Sequence, residues 1–379
     1  MWKKYISKII LIFLASVIIL SAFYSFKTNS DRNLKNEIGQ MIMIGFRGTT
    51  AEPGSYITRV LREVKVGGVI LFDYDVPSKS YDRNIVNPEQ LEKLVSNLKS
   101  YSSESLLVAV DAEGGKVNRL KEKYGFMSIL SPQEMGEAGN TASATEEALK
   151  LAFELKTMGF NMNMAPVVDV NVNPENPVIG ALGRSFSADP QQVFLDASAF
   201  IKAHEENNII AVAKHFPGHG SSQDDSHLGM VDVTDTYKKE ELIPYQKLQE
   251  AGLLQAVMTA HIINRNIDEN YPATLSSRFL QDILRGGIGF KGVIISDDMQ
   301  MGAITSNYGF EEAIIMAINA GCDILIVSNN GSAGYDENVP YKVRDAIYNA
   351  VKDGKISRER ISESYERISL LKSNLEQDI

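Results

Sequence analysis

Between Lys214 and Gly229 the sequence reads KHFPGHGSSQDDSHLG, which holds three of the chain's five histidines together with the adjacent Asp224 and Asp225. Asp225 and His227 are two residues apart, so in an extended segment their side chains point the same way. A carboxylate beside an imidazole fixes its tautomer and raises its basicity, and the pair can then give or take a proton. A second carboxylate, Asp297, ends the apolar run GVIISD (292–297) and has the chemistry to attack an electrophilic carbon. A nucleophile with a separate acid/base is the layout of a retaining glycosidase, with a histidine here in one of the two carboxylate roles. The same types also suit a metal. His215, His219, Asp225, His227, His261 and Asp297 could serve a zinc hydrolase, although their spacing matches no helix-borne H-E-x-x-H pattern. Spacing alone leaves the glycosidase, the zinc hydrolase and a solvated polar loop open.

Such residues need a frame that brings them together. From residue 38 onward short apolar runs alternate with stretches of helical period. The runs are GQMIMIGF (39–46), GGVILFD (67–73), LLVAVDAEG (106–114), NMNMAPVVDV (161–170), IIAVAKHF (209–216), LQAVMTAH (254–261), GVIISDD (292–298) and CDILIVSNN (322–330). Unbroken apolar runs fit strands buried on both faces of a parallel sheet. Asn87-Pro88 and Asp189-Pro190 read as helix starts, Ser276 as a cap, and Gly159 and Gly252 as helix ends. Leu91, Leu94, Val95 and Leu98 form one helical stripe. Eight such units predict an α/β fold, a (β/α)8 TIM-type barrel forming a single catalytic domain over 34–375, with an open doubly wound sheet as the alternative. Barrel sites lie at the C-terminal strand ends. There the sequence places Asp111, Asp169, Lys214-His215, His261, Asp297-Asp298 and Asn329-Asn330. Ordinary loop polarity keeps some weight for Asp169 and Asn329. The stretch 112–144 reads as a long functional loop.

The formal charge of −10 and the absence of a basic run beyond the N-terminus exclude a nucleic-acid surface. The lone Cys322 excludes a disulfide framework and a cysteine metal site, and reads as a buried bystander. Lys3, Lys4 and Lys8 precede an uncharged apolar stretch, Ile9 to Phe26. Residues 1–30 are therefore expected to act as a signal anchor with the body outside the cytoplasm, or as a cleaved signal peptide that releases it.

The combination of KHFPGHG…DDSH with VIISDDMQMGAI (293–304) resembles the glycoside hydrolase family 3 β-N-acetylhexosaminidases of the bacterial cell-wall recycling type. VDAEGGKVNRL (110–120), GRSFSADP (183–190), VMTAHI (257–262) and PATLS (272–276) extend the match from about residue 34 to 372. The resemblance implies Asp297 as nucleophile, His227 as acid/base and Asp225 as its partner, on a loop that closes over the sugar. It implies Asp111, Arg119, Arg184, Lys214 and His215 as substrate-binding residues. It further implies a terminal β-linked N-acetylglucosamine on wall fragments as the carbohydrate partner, with no metal and no cofactor. The protein is expected to be a monomer, in contact with the membrane through its N-terminal segment. Transfer to phosphate rather than water, a metal-dependent hydrolase and a non-catalytic wall-binding protein are the rivals. His219 receives no chemical role. Two departures stand out: Lys116 occupies a usual arginine position, and the turn after the second run reads FDYD (72–75), where many relatives carry an Arg-Asn pair.

Overall fold

The computed structural model describes residues 31–375 except 82, 332 and 333. The expected N-terminal anchor, residues 1–30, lies outside the described residues. Among these, no helix is long and apolar enough to cross a membrane.

Eight parallel strands form the centre: β1 (Ile42–Ile44), β2 (Gly68–Leu71), β3 (Leu107–Val110), β4 (Met162–Asn163), β5 (Ile210–Phe216), β6 (Ala256–Thr259), β7 (Val293–Ile295) and β8 (Leu325–Val327). Their hydrogen-bonded order is β7-β6-β5-β4-β3-β2-β1-β8. The ring closes where Ile295 bridges Ile324 and the Ser296 N–H donates to the Ile324 carbonyl at 2.9 Å. The predicted barrel is what the chain forms, and closure rules out the open sheet. Every strand residue is buried, because the interior is filled with side chains and helices cover the outside.

The outer layer is α1 (Tyr56–Glu63), α2 (Pro88–Tyr101), α3 (Thr141–Thr157), α4 (Pro190–Glu205), α5 (Ile243–Glu250), the π-wound α6 (Arg278–Gly287), α7 (Phe310–Ala320), α8 (Val339–Lys352) and α9 (Arg358–Ser373). Asn87 and Asp189 cap α2 and α4 by accepting from the Gln90 and Gln191 N–H groups, each with proline next in the chain. The α2 stripe Leu91, Leu94, Val95 and Leu98 is buried. Gly159 and Gly252 adopt the left-handed conformation expected of helix ends. Ser276 accepts weakly from the Phe279 N–H at 3.4 Å, and its hydroxyl also donates to Asp268. Cys322 is free and buried.

The 112–144 stretch is more ordered than a long loop. It contains a hairpin (Ala112–Gly114 with Val117–Asn118) and a short helix, Pro132–Glu137. Ser131 and Glu134 box that helix, while Glu154 and Glu147 of α3 accept the Met127 and Leu130 N–H groups. Side chains thus replace the partners that a bare loop would lack.

Two buried polar features hold the frame. Asp323, just before β8, is fully buried and accepts from Arg285 (2.8 Å), Arg360 (3.1 Å), Arg367 (3.1 Å), Ser364 (2.9 Å) and the Ile294 N–H (3.0 Å). It fastens α6 and α9 to the end of the barrel opposite the site. Removing this carboxylate leaves buried guanidinium groups without a counter-charge. Asp323→Ala should therefore destabilise the fold by about 3–5 kcal/mol, read as a lower urea midpoint. His204 of α4 is the second feature. Its Nδ1–H donates to the Phe200 carbonyl and its Nε2 accepts from Asn163 at 3.0 Å. Burial lowers its pKa to about 4, although the Phe200 bond works the other way. Folding thus favours the neutral ring, so its contribution to stability is complete above the ordinary 6.5 and is lost as pH falls towards 4. The thermal midpoint should drop across that window, and drop less in His204→Gln.

Candidate active site

The strand ends converge on a cleft of about 380 Å³ bordered by Asp111, Arg119, Arg184, Lys214, His215, Asp225, His227 and Asp297. All eight residues singled out from the sequence therefore face one space.

Its buried side is a knot of charges. Lys214, at the C-terminal end of β5, lies 2.8 Å from Asp111 and 2.7 Å from Glu113. Arg184 grips Glu113 with two bonds of 2.8 Å and also donates to the Val178 carbonyl. Arg119 stands 3.8 Å from Asp111. Burial alone would raise both acids. Lys214 and Arg119 hold Asp111 below its ordinary value, and Arg184 and Lys214 bring Glu113 down to about 2. All stay ionised, and the cleft is lined by fixed donors and acceptors matched to hydroxyl groups. Glu113 was not anticipated. Its only sequence signal is its place two residues after Asp111, where it reads equally well as a solvated loop acid.

Asp169 was also undervalued. It is fully buried and accepts from the His215 Nδ1 at 2.7 Å and from the His215 and His219 N–H groups at 3.1 and 2.8 Å. The Nδ1–H therefore points at Asp169, and Nε2 presents a lone pair towards Arg184 Nη2 at 3.4 Å. A strand-end aspartate that looked like loop polarity sets the tautomer and orientation of His215.

The β5 loop divides into two parts. Residues 215–222 are buried and tied down. Asn176 donates to the His219 carbonyl, Asn173 to the Ser222 carbonyl, and Glu241 accepts from the Gly220 and Ser221 N–H groups. Burial pushes the Glu241 carboxyl up to about 7, against its bonds from Ser221 and Lys238. Gly218 has φ +127° and a Cβ there would stand 2.6 Å from Glu241, while one on Gly220 would stand 1.7 Å from the Val170 carbonyl. These glycines thus permit close packing of the loop against Glu241 and Val170. His219 donates its backbone N–H to Asp169 and meets Ser226 through Nε2 at 3.2 Å, so it braces the loop.

The outer part, Gln223 to Gly229, carries the dyad. Asp225 Oδ1 accepts from both the His227 N–H (2.8 Å) and Nδ1 (2.7 Å). The predicted pairing is present, but its geometry is not an extended strand. The aspartate folds the chain into a turn by bonding the backbone two residues on, and that same turn brings the ring to its oxygen. Among the described residues none bonds Nε2, on a ring 62% exposed. The His227 carbonyl accepts weakly from Gly302, beyond β7.

Asp297 is partly open to the cleft and accepts from the Asp298 N–H at 2.7 Å. Burial would raise its carboxyl; the His261, His215 and His227 rings outweigh this and hold it below the ordinary value. Asp298 points away, to the Ser328 hydroxyl and N–H. His261 Nε2–H donates to the Asp298 carbonyl at 3.0 Å, which fixes the backbone behind Asp297. The six possible metal ligands are thus spread over separate tasks. Among the described residues no three His, Cys, Asp or Glu side chains converge as a ligand set.

The turn after β2 also differs from expectation. The chain does carry an Arg-Asn pair, Arg83–Asn84, displaced by a hairpin of Tyr74–Asp75 with Ser80–Tyr81. Asn84 is returned to the end of β2, where its N–H donates to the Phe72 carbonyl (2.9 Å) and its Oδ1 accepts from the Phe72 N–H (3.0 Å). Lys116 reaches the Ala181 carbonyl at 3.1 Å.

Residues 33–371 match the glycosyl hydrolase family 3 N terminal domain. A beta-hexosaminidase of Tolumonas auensis is 40% identical over 276 residues, which is 72% of this chain and 78% of that protein. A family 3 beta-N-acetylglucosaminidase from Paenibacillus sp. str. FPU-7 superposes with a TM-score of 0.81 at 34% identity, over 91% of this chain; the chain spans 63% of that longer protein. A beta-N-acetylhexosaminidase from Beutenbergia cavernae gives a TM-score of 0.79 at 27% identity, covering 90% of this chain and 98% of its own. A barrel of this closure, matched by the family over nearly all of its described length, belongs to glycosyl hydrolase family 3.

Proposed function

We propose that the protein is a retaining exo-β-N-acetylglucosaminidase that releases terminal β-linked N-acetylglucosamine from cell-wall fragments. The observation that carries this reading is the 2.7 Å Asp225–His227 pair, with its Nε2 free, on a loop bordering the cleft that holds Asp297. The hexosaminidases among its relatives support the sugar, and the absence of any claim on Nε2 supports the acid role.

Asp297 attacks the anomeric carbon, and the bond to the leaving oxygen breaks as His227 Nε2–H protonates it. Water then attacks the anomeric carbon of the glycosyl-Asp297 ester, giving its proton to Nε2, and the bond from that carbon to the Asp297 oxygen breaks to free the carboxylate. Asp225 holds Nδ1–H throughout and stabilises the imidazolium. Asp111, Arg119, Arg184, Lys214 and His215 bind the sugar hydroxyls, fixing the carbon for in-line attack. Asp169 and Glu113 act one step back, by orienting His215, Lys214 and Arg184. No step calls for a metal or a cofactor.

Asp297→Ala should lower kcat on a 4-nitrophenyl N-acetylglucosaminide by on the order of 10⁴-fold or more. A fluorinated N-acetylglucosaminyl fluoride that reacts slowly should leave its sugar on the peptide containing Asp297, seen by mass spectrometry. Rates near wild type in that variant would rule out Asp297 as nucleophile. His227→Ala should slow poor leaving groups by about 10²–10⁴-fold and activated aryl groups far less. Equal losses on both would count against an acid role. A chelator should leave the wild-type rate unchanged, and the product should be the free sugar even in phosphate buffer.

A further inference from the structure

The hairpin between Phe72 and Arg83 is not needed to close the barrel, since Phe72 and Asn84 already bond to each other across its base. It is nonetheless held firmly. Asp75 accepts from Arg47 at 2.7 and 2.8 Å, from Arg83 at 2.7 Å, and from Ser78. Asn330, beyond β8, accepts from the Val76 N–H (2.9 Å) and donates to the Tyr74 carbonyl (3.0 Å). The buried Asp73 pairs with Lys121 at 2.5 Å. Three neighbouring segments therefore grip it, and its shape is set before anything binds.

Towards the cleft it presents Tyr74 and Val76. Asp73, Asp75 and Arg83 are turned inward and paired, while Lys79 is exposed at the hairpin tip, away from the cleft lining. Val76 is 43% exposed and Tyr81 53%, and the Tyr74 ring packs on Tyr81 at 4.9 Å. Tyr74 and Val76 border the same cleft as His227 and Asp297. The charge knot occupies the β3-to-β5 side. The hairpin, tied to residues beyond β1 and β8, stands across the mouth from the β5 loop. The buried polar side suits the sugar that is cleaved off; the outer apolar wall suits what it is cleaved from.

Resting on the hexosaminidase reading, we propose that this hairpin builds the leaving-group subsite, with Tyr74 and Val76 receiving the C–H face of a second pyranose ring. A pre-shaped apolar wall binds such a face without ordering cost. Contacts of this kind act only on substrates long enough to reach them.

The test compares N,N′-diacetylchitobiose with N-acetylglucosaminyl fluoride, whose leaving group is a single atom. In Val76→Asp and in Tyr74→Ala, kcat/KM on the disaccharide should fall about tenfold or more relative to the fluoride, mainly through KM. Val76 is surface-exposed and tolerates the change; Val76→Ser serves if the aspartate does not fold. Equal losses on both substrates, or no loss on either, would overturn the subsite. So would wild-type turnover of the fluoride without the disaccharide. Wild-type protein inert on both would overturn the hexosaminidase reading itself.

Discussion

The site depends on burying four charges together. Asp111, Glu113, Lys214 and Arg184 come from β3, the chain after β4, and β5, and none could be taken from water alone without a cost of several kcal/mol. Together they neutralise one another, with every contact at 2.7–2.8 Å. That requirement sets much of the surrounding structure. It demands that the ends of β3 and β5 lie within a side chain's reach of each other, which the closed ring secures. It demands a loop after β4 that returns Arg184 to the mouth. Once formed, the knot leaves little freedom for the groups that face substrate, so the polar wall is ordered in advance of binding.

The fold was legible because its signal repeats. Eight apolar runs, two Asn/Asp-Pro starts and two left-handed glycines each point to one element, and they agree. Asp111, Lys214, His215 and Asp297 were legible because polar groups at the ends of apolar strands stand out, whereas Arg119 and Arg184 were reached only through the family resemblance. Glu113 and Asp169 were not, since a buried, fully paired acid has the same letter as a solvated one, and only the fold shows what it accepts from. Arg83–Asn84 escaped for another reason. The hairpin separates Asn84 from Phe72 along the chain while hydrogen bonds hold the two together in space, and local reading follows the chain. The Asp225–His227 contact was anticipated through alternation along an extended segment. It arises instead from a turn, because an aspartate that bonds the backbone two residues on competes with extension.

The β5 loop combines two demands that usually conflict. Its first half is packed as tightly as a core element, with Glu241, Asn173, Asn176 and Asp169 taking up its backbone groups. Its second half keeps few such bonds, and Leu228 is 83% exposed. The boundary falls near Ser222, where the unbroken run of buried residues ends, although Ser226 is still held by His219 and by the Ala303 N–H. Local stability is therefore unevenly distributed along the loop, as expected for a segment that must be aimed yet admit substrate.

The turn that joins Asp225 to His227 has a further consequence. Both partners sit within one tight bend and need nothing from the barrel to stay paired. Orientation of the imidazole is thus a property of the loop tip, whereas its distance from Asp297 is a property of how the loop lies. The pair is a self-contained unit: a displacement of the loop as a whole would carry it without breaking its bonds, and changes in loop sequence outside the bend would alter where it sits without altering how it is paired.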